Sequence, residues 1–447
     1  YSAPPWAARL SSSAASRAAR LRVATTTLTS GTSVLGTAGI VEWPPVRVLT
    51  VGSMYPPHYL GGQELLWRRS VLQLRAAGHE VRVLTTDWRR EGAGDTELDP
   101  GVFRELRWYW RDHAWPRFSA RERLALERHN ARVLDRHLAE LRPDVVAWWA
   151  LGGMSLSLVE RVRRAGVPAV GVVCDHWLLY GPQVDAWMRM CARLGPLRGL
   201  AGRLAGVPSR FEPGRAARWL FISDHLRGRA LAHRDLPDTG VAHPGVDRGL
   251  FREHPPGPWR WRLAYVGRID PRKGIELAVR ALAQLPAEAT LAIDGGGDEA
   301  HLAELRALAA ELGLEGRVTF AHSPREALPA VYAEADVVLF PVLWDEPWGL
   351  VPLEAMAVGR PVVATGSGGS GEYLADGENC LTFDPERGGA DALAEAVRRL
   401  AADAALRERL RAGGLETAAR LTEAGFTAQV ERELQAAAWA GGENPRA

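Results

Sequence analysis

Among 54 arginines this chain of 447 residues keeps one lysine, Lys273. In a composition so biased, arginine serves wherever charge alone is needed. A retained ammonium marks a place where a compact, rotatable cation reaches a phosphate that a planar guanidinium would crowd. Lys273 lies in GRIDPRKGI, 267–275, directly after the apolar run WRLAYV, 261–266. That places it at the carboxyl end of a predicted strand, on a loop that opens a helix. Gly267, Arg268, Lys273 and Gly274 therefore put two cations beside helix-start amides that also favour anions, and the set reads as a diphosphate site.

A second group lies in WDEPWGLVPLEAMAVGRPVVAT, 344–365. Glu346 falls in the loop before a predicted helix and Glu354 in its second turn, so the two carboxylates stand up to ~12 Å apart at about 1.5 Å per residue. That span suits a nucleotide diphosphate sugar. One carboxylate accepts ribose hydroxyls and the other sugar hydroxyls, while the amides of Gly349, Leu350 and Val351 hold the diphosphate between them. Two glutamates at such a spacing also arise as a first-turn dipole partner and a solvated helix residue.

The elements that must position these groups follow from length and pattern. A chain of this length exceeds what one core supports, and with 47% apolar and 24% charged residues it has an ordinary globular composition. No apolar run reaches the ~18 to 20 residues that span a bilayer. Three dispersed cysteines, Cys174, Cys191 and Cys380, form no C-x-x-C pair, which points to a reducing, cytoplasmic setting without metal or disulfide staples. From residue 46 onward, apolar runs alternate with helical stretches. The runs are VRVLTVG (46–52), EVRVLTTD (80–87), DVVAWWA (144–150), PAVGVVCD (168–175) and RWLFIS (218–223), with the glycine turn YPPHYLGGQE at 55–64. A second series runs through WRLAYVGRID (261–270), ATLAIDGGG (289–297), RVTFAH (317–322), DVVLFP (336–341), PVVAT (361–365) and CLTFD (380–384). Strand, helix, strand in alternation predicts parallel α/β sheets, and ligands of such sheets lie at the carboxyl ends of the strands.

The expected organisation is an extension over 1–44, a first Rossmann-like acceptor domain over 45–253, a donor domain over 254–415, and a closing helix and tail over 416–447. Residues 1–44 are rich in Ala, Ser, Thr and Arg and carry no acid before Glu42, which fits a transit-like segment or, as preferred here, a disordered or mis-called upstream extension. The formal charge of +2 divides unevenly: residues 45–250 carry +9 and residues 251–447 carry −10. The first half thus faces something anionic.

Taken together, the motifs resemble those of the retaining nucleotide-sugar glycosyltransferases of family four type (glycosyltransferases group 1), which include sucrose synthase, glycogen-synthase relatives and bacterial phosphatidylinositol mannosyltransferases. The matching signatures are the Gly61-Gly62 loop, HPGVDRGLF (243–251), GRIDPRKG (267–274), Glu346-x7-Glu354 and GGSGEYLADGENCLTF (368–383), in order from about 46 to 400. The resemblance implies the GT-B fold, two facing Rossmann-like doubly wound domains with the active site in the cleft between them. It implies that Arg268 and Lys273 hold the donor diphosphate and stabilise it as a leaving group, a placement of charge where charge develops. Glu354 would bind the ribose and Glu346 the transferred sugar. The amides of Gly61 and Gly62 would approach the phosphate or the acceptor from the first domain. Retention of anomeric configuration is implied by the family, and no protein nucleophile is evident.

The sequence departs from the family at CDHWLLYGP, 174–182, where relatives carry His-Asp and the His touches the donor sugar. Here Cys174 occupies that column and His176 comes one place late. Either Asp175 or His176 does the polar work, or Cys174 is an ordinary buried residue and the role is lost. The stretch FRELRWYWRDHAWPRF, 103–118, interleaves Arg with aromatics and either seats an anionic membrane surface or packs as ordinary core. DGGGDEA, 294–300, lacks the full dinucleotide fingerprint and reads as a tight turn near the donor, where Asp294 and Asp298 would repel a pyrophosphate. Base recognition is expected from the 321–325 loop, through His322 or Ser323.

The expected function is metal-independent, retaining transfer of a sugar from a nucleotide diphosphate donor, without a cofactor. The acceptor would be an anionic lipid, a polysaccharide intermediate or a secondary metabolite, and no nucleic acid is expected as a partner. The first domain is expected to make peripheral contact with the inner face of the membrane. A phosphorylase or hydrolase on the same fold, or a degenerate relative without activity, are the alternatives; a NAD-linked oxidoreductase would need a glycine fingerprint and a later acid that are missing.

Overall fold

The computed structural model of the protein describes residues 44–94, 96–110 and 114–440. Apart from Pro44, the expected extension over 1–44 lies outside the described residues. Two sheets of parallel strands carry the chain from residue 46 on. The first contains β1 (Arg47–Val51), β2 (Glu80–Thr86), β3 (Val102–Leu106), β4 (Val145–Trp148), β5 (Ala169–Val173), β6 (Arg218–Phe221) and β7 (Thr239–Val241), in the spatial order β3-β2-β1-β4-β5-β6-β7. The second contains β8 (Arg262–Val266), β9 (Thr290–Asp294), β10 (Val318–Ala321), β11 (Val337–Phe340), β12 (Val362–Ala364) and β13 (Leu381–Thr382), in the order β10-β9-β8-β11-β12-β13. This is the α/β, GT-B arrangement of two Rossmann-like doubly wound domains.

The central strands are short β-branched runs because helices cover both faces of a parallel sheet. All five residues of β5 and all four of β11 are buried, at roughly 1.5–3 kcal/mol for each large apolar side chain. β1 pairs with β2 on one side and β4 on the other, with Val48 opposite both Val81 and Val145. β8 likewise sits between β9 and β11. Strand order therefore reverses between β1 and β4 in one sheet and between β8 and β11 in the other, and such switch points are where open α/β sheets hold ligands.

Two edge strands, β3 and β7, escape an apolar reading of the sequence. Both are largely half-buried, so Arg104, Glu105 and Thr239 take places in them. The Arg-aromatic stretch that begins in β3 turns most of its rings inward: its Trp108 and Trp110 cluster with Trp88, which follows β2, with centroids 4.7 to 6.4 Å apart, and only Trp115 among the aromatic residues of the stretch is exposed. Residues 111–113 of that stretch are outside the described residues.

The chain closes by crossing back. After the helix Ala404–Arg420, Leu421 and Glu423 exchange backbone hydrogen bonds with Val246, and the helix Glu423–Trp439 lies on the first sheet. There Phe426 meets Trp149, His79 bonds Glu431 at 2.9 Å, and Arg218 bonds Glu433 at 2.6 Å. The last helix thus ties the two sheets into one body.

Candidate active site

Lys273 ends a single 3-10 turn, Pro271–Lys273, that follows β8. Asp270 starts the turn by accepting from the Arg272 amide at 3.0 Å. Gly274, at φ +67, follows the lysine, and a side chain there would stand 2.0 Å from the Pro341 carbonyl oxygen at the end of β11. Glycine lets the loop press against the neighbouring strand's carboxyl end, so Lys273 and the loop after β11 share one corner of the switch point.

That loop carries Glu346, which is buried. Its Oε2 accepts from Lys273 Nζ at 2.6 Å and from Trp344 Nε1 at 2.7 Å. The Trp344 ring also lies 5.3 Å from Nζ and 4.8 Å from the Arg272 guanidinium, cation-π contacts with both cations. The Glu346 carbonyl is held by the Gly369 amide at 2.7 Å.

Arg268 reaches across the cleft and donates from its guanidinium to the Leu60 carbonyl at 2.8 Å. Beside it stand Gly61 and the buried Glu64, whose carboxylate accepts from the Gly61 amide at 2.9 Å and from Gln63 at 2.8 Å. Burial pushes Glu64 up to about 7. The Gly61 amide is thus occupied, while Gly62, the first residue of the helix Gly62–Ala76, has open space where a side chain would stand.

Glu354 is buried on the helix Val351–Val358 and forms a separate pair. Arg325 donates to its Oε1 at 2.8 Å and the Tyr332 hydroxyl to its Oε2 at 2.9 Å. Gly349, at φ +85, and Leu350 lead into that helix, and the Gly349 carbonyl accepts from Tyr373. In the loop expected to read the base, Ser323 gives its amide and hydroxyl to Asp294 at 2.8 and 2.6 Å, and His322 lies over Gly296. Asp298 caps the helix Glu299–Glu311. Both acids are therefore engaged by donors, Asp294 from Ser323 and Asp298 from the first-turn amides of Ala300 and His301.

The residues at the departure from the family pattern take different directions. Asp175 accepts from the Trp177 amide at 2.9 Å and the Tyr180 hydroxyl at 3.0 Å, and burial raises its carboxyl above the ordinary range. Burial also raises the Cys174 thiol, which stays protonated. His176 instead faces the second domain, with Nε2 3.9 Å from Asp345, and burial lowers its affinity for a proton. Asp345, adjacent to Glu346, is also in contact with His225 Nε2 and lies 3.4 Å from Arg229 Nε. Three nitrogen side chains of the first domain therefore surround one carboxylate of the donor loop.

A second tie lies close by. Glu372 accepts from the amides of Asp224 and His225 at 3.0 and 2.6 Å and from His243 Nε2 at 3.2 Å. With Asp224 and His243 it brings three potential metal ligands within 4.8 Å. Its oxygens are already engaged by three donors, which is the chemistry of a helix cap rather than of a cation site.

Lys273, Glu346, Arg268, Gly61 and Gly62 thus line the cleft between the two switch points. Glu354 stands with the base-side loop, Asp175 turns into its own helix, and His176 becomes a bridge. Trp344, Arg325, Tyr332, Glu64, Asp345 and Glu372 escape the sequence reading. Of these Trp344 carried a signal, sitting two residues before Glu346 in a loop already singled out.

Residues 250–417 match the family described as glycosyl transferases group 1. That part of the chain is thus similar to the group 1 glycosyl transferases. It contains all the cleft residues that the second sheet contributes. The chain is 37% identical over 205 residues to a GDP-mannose-dependent alpha-(1-6)-phosphatidylinositol monomannoside mannosyltransferase of Mycolicibacterium smegmatis, covering 41% of this chain and 52% of that one. It is 38% identical over 250 residues to a D-inositol 3-phosphate glycosyltransferase of Nocardioides, covering 49% and 53%. The match spans about half the length of these curated relatives. Among solved structures, sucrose-phosphate synthase from Thermosynechococcus elongatus superposes with a TM-score of 0.67 at 24% identity, over 88% of this chain and 100% of that one. Anabaena HepE in complex with UDP gives 0.65 at 20%, over 87% and 100%. These likenesses establish the GT-B fold.

Proposed function

We propose that the protein is a glycosyl transferase that moves a sugar from a nucleoside diphosphate donor to an acceptor held by the first domain, with retention of configuration and without a metal ion. The reading is carried by one observation: Lys273, paired with Glu346 and backed by Trp344, stands at the second sheet's switch point while Arg268 reaches the opposing glycine loop. Two cations at that point neutralise the diphosphate as the bond to the sugar breaks and negative charge passes to the leaving phosphate. Charge neutralisation then rests on protein side chains. Glu346 exchanges its bond with Lys273 for the sugar's hydroxyls as the diphosphate engages the ammonium, and Glu354 accepts the ribose hydroxyls. The mannosyltransferase relative is named for GDP-mannose and for phosphatidylinositol monomannoside, which supports a nucleotide sugar here and makes a phosphorylated or lipid acceptor the first to try.

A thermal-shift panel of UDP, GDP, ADP, TDP and NAD, without metal and then with magnesium, tests the donor site. One nucleoside diphosphate at 100 times its dissociation constant should add ~2.7 kcal/mol of stability without magnesium. A response to none, to NAD alone, or only with magnesium would overturn the reading or its metal independence.

A further inference from the structure

Between β5 and β6 the first domain carries a stretch whose chemistry the donor site does not use. Residues 186–211 contain five arginines, Arg189, Arg193, Arg198, Arg203 and Arg210, and no acid. Among the described residues eight large apolar side chains are exposed, and four of them fall here: Leu194 at 43%, Leu197 at 62%, Leu200 at 55% and Leu204 at 77%. Their spacing, three, three and four residues, aligns them along one side of the 3-10 turn Gly195–Leu197 and the helix Arg198–Ala205 that continues it.

The opposite side is fixed to the domain. Arg198 and Ser209 exchange hydrogen bonds through their side chains and carbonyls, and Gly202 lies so close to Ser209 that a side chain there would stand 2.6 Å from its hydroxyl. Arg128 of the helix Ala120–Leu141 donates to the Ala205 carbonyl at 3.1 Å. The leucines are therefore presented by a built helix and not by a loose loop. Beside it a cavity of about 440 Å³ is lined by Arg161, Arg164 and Arg203 together with Asp135 and Gly202. Arg161 is paired with Asp135 and Arg164 with Glu160, whereas Arg189, Arg193, Arg203 and Arg210 have no ion-pair partner among the described residues.

We propose that this face docks on a bilayer that contains anionic lipid, the leucines entering the headgroup boundary and the arginines, with the cavity, engaging lipid phosphates. A leucine row rimmed by unpaired arginine suits an interface that is apolar below and anionic above. Charge selects this occupant over a second copy of the chain, because a copy would set four unpaired arginines against four. No helix among the described residues is long and apolar enough to cross a membrane, so the contact lies on the surface. The inference does not depend on the transferase reading.

Cosedimentation of the full chain with vesicles of phosphatidylcholine, with and without phosphatidylglycerol, tests it. Wild type should bind the phosphatidylglycerol vesicles at least about tenfold more tightly than the neutral ones, and added salt should weaken that binding. The double variant Leu200→Glu, Leu204→Glu should lose about tenfold or more while its unfolding temperature holds, both sites being exposed. Arg203→Ala should lose less, and only on anionic vesicles. Equal binding by wild type and the double variant, or no binding by wild type, would overturn the proposal. A concentration-dependent dimer that the double variant abolishes would overturn it in favour of a second copy.

Discussion

The ammonium of Lys273 lies 2.6 Å from Glu346 Oε2, so the chain's one lysine closes the gap between the loops that follow β8 and β11. In the proposed mechanism this pair changes partners when the donor diphosphate binds. Lys273→Ala should lower turnover with the cognate nucleotide sugar by about 10² to 10³, equivalent to ~3 to 4 kcal/mol of transition-state stabilisation. Lys273→Arg should recover little of it, because a planar fork cannot take the ammonium's place between Glu346 and Trp344. Steady-state kinetics of the two variants checks both; turnover of Lys273→Ala within a few-fold of wild type would remove the lysine from the chemistry.

Glu354 separates binding from folding. It is held by Arg325 and Tyr332, so Glu354→Ala removes the proposed ribose acceptor and also leaves a guanidinium without its partner. Arg325 retains some access to water, with 22% of its side chain exposed, so the destabilisation should be about 2 kcal/mol, less than the ~3–5 of a fully buried broken pair. Glu354→Gln keeps one acceptor, for Arg325, and presents an NH2 that the Tyr332 hydroxyl can accept from after rotating, so it should hold the unfolding temperature nearer wild type while still weakening the nucleoside diphosphate. Calorimetric titration alongside thermal unfolding distinguishes the two effects. Unchanged nucleotide affinity in both variants would move the ribose site elsewhere.

The legible part of this fold was its repeated apolar runs, because central parallel strands are buried on both faces and must be apolar throughout. Edge strands β3 and β7 carry Arg104 and Thr239, and charge there conceals the strand. In the site, Lys273 and Glu346 were legible from residue type and their position after a strand. What stayed hidden were partners set by tertiary approach. Nothing in HSPREAL says that Arg325 turns toward Glu354, 29 positions on, and nothing in CDHW says that His176 looks across the cleft while Asp175 turns back to Trp177 and Tyr180. Those directions depend on how two sheets meet.

Glu64 makes stability depend on pH with a defined sign. Burial raises its carboxyl from 4.5 to about 7, so between those values the folded chain holds a proton that the unfolded chain has released. Its contribution is therefore greatest below about 4.5, is lost as pH rises toward 7, and is flat above. The full span is on the order of 3 kcal/mol. Glu64→Gln, which cannot titrate, should remove this slope, so the difference in unfolding free energy between wild type and variant should move in favour of the variant as pH rises. A difference that stays constant from pH 4.5 to 7.5 would mean that Glu64 is ionised in the folded protein.

Asp345 offers a test of the tie between the two domains. The loop that positions Glu346 is anchored one residue earlier, where Asp345 meets His176, His225 and Arg229 of the first domain. Removing the carboxylate leaves Arg229 without that partner and releases the loop from the opposing wall, but it touches neither Lys273 nor Glu354. Asp345→Ala should therefore lower kcat by about tenfold while the nucleoside diphosphate still raises the unfolding temperature as in wild type. Because Asp345 and Arg229 are each about one-third exposed, their coupling in a double-mutant cycle should be modest, about 0.5 to 1 kcal/mol. Additive effects of Asp345→Ala and Arg229→Ala, with kcat unchanged, would show that closure of the cleft is held by other contacts, first among them Glu372 on the amides of Asp224 and His225.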